Sequence, residues 1–334
     1  MTVVTDLFDR QLRDLRISVT DRCNFRCTYC MPKEIFGPGY EFLPRDQLLT
    51  FEEITSVVHH FVERGVTKVR ITGGEPLLRK GIEDLVAMIA GVEGVEDLTL
   101  TTNASLLARK AQALYDAGLN RVTVSLDAMD DPTFQKMNDV GFPVATVLEA
   151  IDMASEVGLG PIKVNAVIKR GVNEHSVVDM ARHFRGTGHI VRFIEFMDVG
   201  NSNGWRLDDV VPADEMLERV HAEFPLEPIL PNYPGEVANR FRYLDGQGEI
   251  GVIASVTKPF CGSCTRARIS AEGSMFTCLF ASGGTNLREV IRSGGDLGET
   301  IDEVWAKRDD RYSEIRSSNT ARLAVPVEMS YIGG

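Results

Sequence analysis

Residues 50–76 read TFEEITSVVHHFVERGVTKVRITGGEP. Thr50 and Glu53 form a capping-box pattern ahead of an apolar-periodic run, and Gly65 stands where a helix would stop. The spacing predicts a helix over Phe51–Arg64. The β-branched residues of Lys68–Gly73 then predict a short strand, closed by Gly73-Gly74-Glu75-Pro76. Working outward, the same alternation recurs. Strands are predicted at Leu15–Thr20, Asp97–Thr102, Arg121–Leu126, Ile162–Ile168 and Ile190–Phe196. Helices are predicted at about Gly81–Ala90, Leu106–Ala117, Val144–Val157 and Ser176–Phe184. Strands alternating with helices imply βα units on a parallel sheet. The expected fold is α/β, an incomplete parallel (β/α)6 TIM-like barrel. The pattern changes after about Trp205. Pro231-Asn-Tyr-Pro-Gly235 is a turn-rich break, and Phe241–Leu244 with Ile250–Ala254 reads as a hairpin across Asp245–Gly248. The expected division is a barrel over 1–230 and a smaller C-terminal module over 231–334, packed against it.

The chain has 334 residues, 43% apolar and 25% charged, which suits a globular protein with a substantial core. With Lys plus Arg at 36 and Asp plus Glu at 48, the net charge is −12. That balance argues against a nucleic-acid coat or an anionic-membrane surface. A local arginine cluster can still bind a small anion, because the field is set by nearby charges. Charges interrupt the first twenty residues too often for a signal peptide, and no window approaches 18 uninterrupted apolar residues. No nucleic acid, no membrane and a cytoplasmic location are therefore expected.

Six cysteines fall into two groups of three, which fits metal ligation better than disulfide pairing. Cys23, Cys27 and Cys30 have the spacing C-x3-C-x2-C on the loop after the first strand. Three thiolates so placed can hold three irons of a 4Fe–4S cubane and leave the fourth iron open. A zinc loop lacking its fourth ligand, or three unrelated cysteines, is the alternative. Cys261, Cys264 and Cys278 have the spacing C-x2-C-x13-C and suggest a second cubane with an open iron. A zinc ribbon with a distant fourth ligand, such as a His, competes with that reading. Arg266 and Arg268 follow directly. Alternate positions on an extended strand point the same way, and two guanidiniums on one face suit a polyphosphate.

In a parallel barrel, functional residues gather at the C-terminal ends of strands. Gly73-Gly74-Glu75-Pro76, Thr101-Thr-Asn103, Ser125-Leu-Asp127 and Met197 all lie there. Each also has a plain alternative: a tight turn, a helix cap, or, for Met197, core packing.

The first cysteine spacing, together with the GGEP segment, resembles the radical SAM (S-adenosylmethionine) superfamily. CGSCTRAR with a third cysteine, joined to DRCNFRCTYCMP, VRITGGEPLLR, LTTNASLL, VTVSLDA, KVNAVIKRGVN and RFIEFMDVG, resembles the GTP 3′,8-cyclase family over nearly the whole chain. The segment Met137-Asn-Asp-Val-Gly-Phe142 is less diagnostic. The resemblance implies two 4Fe–4S clusters and SAM as cofactors, with the C-terminal module carrying the second cluster. It implies reductive cleavage of SAM to a 5′-deoxyadenosyl radical, removal of the C3′ hydrogen of GTP, and attack of C3′ on C8 of guanine. The product would be (8S)-3′,8-cyclo-7,8-dihydroguanosine 5′-triphosphate, in an early step of molybdenum-cofactor synthesis.

Carried over residue by residue, Cys23, Cys27, Cys30, Arg266 and Arg268 are the expected catalytic residues, and all six cysteines are metal ligands. Tyr29, Gly74, Ser125 and Met197 match SAM contacts. Arg16, Arg70, Thr101, Lys163, Arg266 and Arg268 match GTP contacts, with Arg192 a further residue expected to face the site. The terminal Gly333-Gly334 pair is expected to reach toward the site. Expected partners are GTP, an electron donor such as flavodoxin or ferredoxin, a downstream cyclic pyranopterin monophosphate synthase, and a second copy of the chain in a homodimer. A radical SAM peptide-modifying enzyme with an auxiliary cluster is the alternative reading, and it gives no reason for the RAR strand.

Overall fold

The structure is a computed structural model, and it describes residues 4–316 and 326–333. The elements run in the order β1 (Asp14–Ser18), α1 (Phe51–Val62), β2 (Lys68–Thr72), α2 (Ile82–Ala90), β3 (Asp97–Thr102), α3 (Leu107–Asp116), β4 (Arg121–Ser125), α4 (Asp131–Asn138), α5 (Val144–Glu156), β5 (Lys163–Ile168), α6 (Ser176–Phe184) and β6 (Ile190–Glu195). Then come α7 (Ala213–Glu223), β7 (Leu226–Ile229), β8 (Asn239–Tyr243), β9 (Glu249–Ile253), β10 (Arg266–Ile269), β11 (Ser274–Phe276), β12 (Thr285–Asn286), α8 (Leu287–Ser293) and α9 (Leu297–Ala306). The capping box of α1 forms as read, with Thr50 and Glu53 exchanging bonds. All six expected strands are present within a residue or two. Helix α4 went unread although its start is local: Asp130 accepts from Thr133 N at 2.8 Å, and Pro132 lies in the first turn.

Strands β1 to β6 lie side by side in sequence order and all pair in parallel. That order is a βα barrel wall rather than a doubly wound sheet. The chain after residue 231 extends this wall at both ends. Strand β9 pairs in parallel with β6, and β10 in parallel with β1, each carrying antiparallel strands beyond it. The barrel is incomplete, because β9 and β10 do not pair with each other.

The strands alternate strictly. Leu15 and Ile17, Val69 and Ile71, Leu98 and Leu100, Val122 and Val124, Val164 and Ala166, and Val191 and Phe193 are buried in the main core. The opposite positions are Arg16, Lys68, Arg70, Thr99, Thr101, Thr123, Ser125, Lys163, Asn165, Arg192, Arg266 and Arg268. Parallel strands covered on both faces are ordinarily apolar throughout, and barrel interiors are filled by branched aliphatics. Here one face is polar because the barrel encloses a cavity.

Candidate active site

Both cysteine triads line one cavity. The first loop is braced by two neighbours. Gly74 N donates to Thr20 O at 2.7 Å and Glu75 N to Arg22 O at 2.8 Å. A Cβ on Gly74 would collide with Arg22 O, so the glycine permits this direct docking of turn on loop. From the other side, Arg26 N donates to Asn138 O and Thr28 N to Met137 O. The Met137–Phe142 segment therefore supports the cysteine loop, a role carried by backbone carbonyls that leave no residue signature.

Carboxylates surround this end. Buried Glu75 accepts from Thr102 Oγ1 and from the N–H groups of Leu77 and Asn103; burial pushes its pKa up to about 7 against those bonds. Tyr29 Oη donates to Asp127 Oδ2 at 2.9 Å, and burial lifts the Asp127 pKa to about 6. The thiols of Cys23, Cys27 and Cys30 are pushed up by burial first, then by Glu75, by Asp127 and by one another.

The barrel interior is basic. Register places Arg16 beside Arg70 on one side and Arg268 on the other, three guanidiniums on adjacent strands. Gly251 lies opposite Arg192 in register; a Cβ there would stand 3.1 Å from Arg192 Cγ, so the glycine leaves the arginine room. Of Arg16, Arg70, Arg192, Arg266 and Arg268, only Arg16 has a carboxylate at ion-pair distance among the described residues, Asp14 at 4.0 Å. Arg16 Nε, Arg70 Nε and Arg266 Nη1 are buried without a hydrogen-bond partner. Burial, with the neighbouring arginines adding repulsion, lowers the pKa of Arg16 to about 10 and of Arg192 to about 9. Arg268 is held well below its ordinary value for the same reasons. An arginine does not deprotonate in practice, so these shifts describe stress on buried charge that an anion would relieve.

Every expected cysteine, SAM contact and GTP contact lines this cavity except Lys163, and Gly333 is not part of its wall. Thr101 accepts from Arg70 Nη1 at 3.0 Å, with Thr123 sharing the same nitrogen at 3.1 Å. Lys163 lies two residues before Asn165 on the same face of β5, one layer deeper in the barrel. Met197 Sδ accepts from Ser255 Oγ at 3.4 Å. Gly333 O accepts from Arg268 Nη1, and Gly334 lies outside the described residues. Sequence reasoning missed Lys68, whose Nζ donates to Tyr233 Oη at 2.7 Å, and Arg308, which reaches the second triad. The basic strand positions themselves were the available signal for Lys68. Arg308 had none.

At the second triad, Arg266 Nη2 and Arg308 Nη2 lie 3.0 and 3.1 Å from Cys264 Sγ. Burial alone would raise this thiol, but the two arginines outweigh it and bring its pKa down to about 6.

The donor sets fit iron–sulfur clusters. The cavity wall carries no histidine and no seventh cysteine among the described residues, so neither zinc reading finds its fourth nitrogen or sulfur ligand there. Nor do three such side chains converge as ligands of a single ion would. A cubane instead asks each thiolate to reach a different iron.

A parallel partial barrel with a C-x3-C-x2-C loop after its first strand defines the radical SAM class. Residues 17–184 match the radical SAM superfamily, and residues 189–314 match the Molybdenum Cofactor Synthesis C family. The fold aligns with Streptococcus suis SuiB, solved bound to S-adenosylmethionine, at a TM-score of 0.65 over 95% of this chain and 71% of that one, with 15% identity. The chain is 55% identical to a GTP 3′,8-cyclase of Acidothermus cellulolyticus, with 99% of each covered. It is 50% identical to one of Xanthomonas axonopodis (98% of each) and 48% identical to one of Staphylococcus saprophyticus (99% of each). The chain belongs to the GTP 3′,8-cyclase family.

Proposed function

We propose that this chain cyclises GTP to (8S)-3′,8-cyclo-7,8-dihydroguanosine 5′-triphosphate, an early step of molybdenum-cofactor biosynthesis. One observation carries the reading: a row of buried, mutually repelling arginines lies in the same cavity as two incomplete cysteine triads. Such charges are costly unless an anion arrives, and a triphosphate matches their number and forked geometry. The family's cofactors, two 4Fe–4S clusters and SAM, suit the two triads. With the first cluster and SAM bound, the chemistry supplied is one-electron cleavage of SAM to a 5′-deoxyadenosyl radical able to take hydrogen from the ribose.

The chain's own residues then bind and orient. Arg16, Arg70, Arg266 and Arg268 hold the triphosphate, with Thr101 fixing the Arg70 fork. Tyr29, Gly74, Ser125 and Met197 form the SAM end. Binding energy from the phosphates fixes the sugar against the SAM end, so remote contacts are converted into orientation. Phe260, Phe280, Ile253 and Met329 wall the cavity and exclude water.

The division at residue 230 gives the SAM end to 1–230 and the second triad to 231–334. The reaction consumes electrons that no side chain here supplies, so we assign a flavodoxin or ferredoxin as donor. A cyclic pyranopterin monophosphate synthase would take the product. We also assign a homodimer, from the family resemblance. Among the described residues no helix is long and apolar enough to cross a membrane, and six unpaired thiols suit a reducing compartment; the assignment is cytoplasmic.

The test is anaerobic reconstitution with GTP, SAM and a strong reductant, reading 5′-deoxyadenosine and cyclised GTP by mass spectrometry. Both are expected, and Cys261→Ala or Arg266→Ala removes the cyclised product. If 5′-deoxyadenosine forms while GTP is untouched, the substrate is wrong. If neither forms in protein holding both clusters, the catalytic reading falls.

A further inference from the structure

Two arginines approach Cys264 Sγ, and their surroundings differ. Arg266 has no carboxylate partner among the described residues; its guanidinium lies over the Phe260 ring at 5.2 Å and its Nη1 is buried without a partner. It is free to turn toward a ligand. Arg308 is held by more partners, although its Nε, 3.5 Å from Asp310 Oδ2, is buried without a hydrogen bond. Its Nη1 donates to Cys264 O at 2.8 Å and to Asp6 Oδ2 at 3.1 Å, and its guanidinium stacks on Trp305 at 4.6 Å. Asp6 is held in turn by Arg10 at 2.6 Å. Arg10 Nη1 donates to Cys261 O at 2.8 Å and to Asp310 O at 2.9 Å, while Trp305 Nε1 donates to Arg10 O at 3.0 Å. The side chains of Asp6, Arg10 and Arg308 are at most 2% exposed.

This clasp joins Asp6 and Arg10 to the second cysteine loop and to the end of α9, which lie some 250 and 300 positions further along the chain. Its charges do not cancel. One buried carboxylate faces two buried guanidiniums, and the nearest other anion, Asp310 at 3.5 Å, is 28% exposed. A surplus buried positive charge needs a buried negative one. The group placed to supply it is the Cys264 sulfur as a thiolate, 3.1 Å from Arg308 Nη2. Hydrogen bonds to ligand sulfurs and local charge set the potentials of iron–sulfur clusters.

We propose that Arg308 is a positioning residue for the second cluster: a permanent N–H···S donor, locked by Asp6, that orients the Cys264 thiolate and raises the cluster's reduction potential. Arg266, by contrast, is the exchangeable donor that leaves the sulfur for substrate. The proposal rests on the reading that Cys261, Cys264 and Cys278 hold a cluster.

The test uses the reconstituted holoenzyme with both clusters. EPR-monitored potentiometry identifies the second cluster as the signal that changes on adding GTP and not on adding SAM. In Arg308→Leu the iron content is expected to match wild type while the GTP-sensitive signal moves to a more negative midpoint. Arg308→Lys, which keeps the charge and one donor, should fall between the two. An unchanged midpoint in a variant that retains the cluster overturns the proposal. If Arg308→Leu loses the cluster, Arg308→Lys decides: an intermediate midpoint supports the assignment, and a wild-type midpoint overturns it. If wild type itself gives no GTP-sensitive signal, the cluster reading fails and takes this proposal with it.

Discussion

The two ends of the cavity carry opposite charge. Around Cys23, Cys27 and Cys30 the neighbouring charges are chiefly carboxylates, Glu75, Asp127 and Glu328, and the thiols are pushed up by burial with those anions adding to it. Around Cys264 the neighbours are Arg266 and Arg308, and the thiol is pushed down to about 6 despite burial, whereas Cys278 of the same triad is pushed up to about 11 by burial and then by Asp310. The difference matches two ligands of opposite charge. SAM carries a sulfonium cation, which suits the carboxylate-rich end. GTP carries a triphosphate, which suits the arginine row. A net charge of −12 on the whole chain says nothing of this polarity, because each ligand meets only its own end.

The strongest way to break the comparison is to remove charge from the middle of the arginine row. In Arg16→Met, GTP loses a charge-assisted contact worth about 1.5–3 kcal/mol. The value of kcat/KM for cyclisation should fall roughly 10- to 150-fold, while SAM affinity stays near wild type. Apo stability should change little, because relief from the repulsion of Arg70 and Arg266 is offset by Asp14, left buried without its partner. Activity assays with SAM calorimetry read both ligands. Retained cyclisation, or an equal loss of SAM affinity, would sink the claim that the row is built for an anion.

A smaller effect is expected at the other end. Asp127→Asn removes a carboxylate that accepts from Tyr29 Oη and from Val167 N at 2.9 Å each. Asn can still accept one of these bonds, so the fold should hold. SAM binding should weaken about tenfold, from the lost charge and the loosened Tyr29. GTP binding should not change. Calorimetry with each ligand separately tests the pair, and an equal loss for both ligands would show that the ends are not independent.

Much of this polarity was written in the strands, and part of it was not. The β-branched runs predict all six strands, and their alternation separates core from cavity: Leu15 and Ile17 against Arg16, Val69 and Ile71 against Lys68 and Arg70. Arg266 and Arg268 were read from that same rule. What no local pattern carries is which strands become neighbours. Arg16 meets Arg268 because β10 pairs with β1 across some 250 residues, and the Asp6–Arg308 contact spans 302. The carbonyls of Met137 and Asn138 support the first loop through backbone alone, so side-chain identity could not announce them. Lys163 was the converse case. It came with the family motif, yet it sits below the cavity wall.

Lys163 gives the smallest and most discriminating prediction. Burial, with Arg192, Arg121 and Lys68 nearby, holds its pKa down to about 7, below the ordinary lysine value of about 10.4. Between those values the unfolded chain binds more protons than the folded one, so apo stability should rise with pH from about 7 to 10. The slope from one site cannot exceed about 1.4 kcal/mol per pH unit. A triphosphate settled on the arginine row would favour the charged ammonium and raise its pKa. GTP binding should then take up a proton above pH 7, and affinity should fall, by less than about tenfold, between pH 7.5 and 9. Lys163→Met should flatten both slopes, read by denaturant titration and by calorimetry in buffers of different ionisation enthalpy. If the stability slope flattens but the GTP slope does not, Lys163 responds to the arginines and not to the ligand, and the basic end is the arginine row alone.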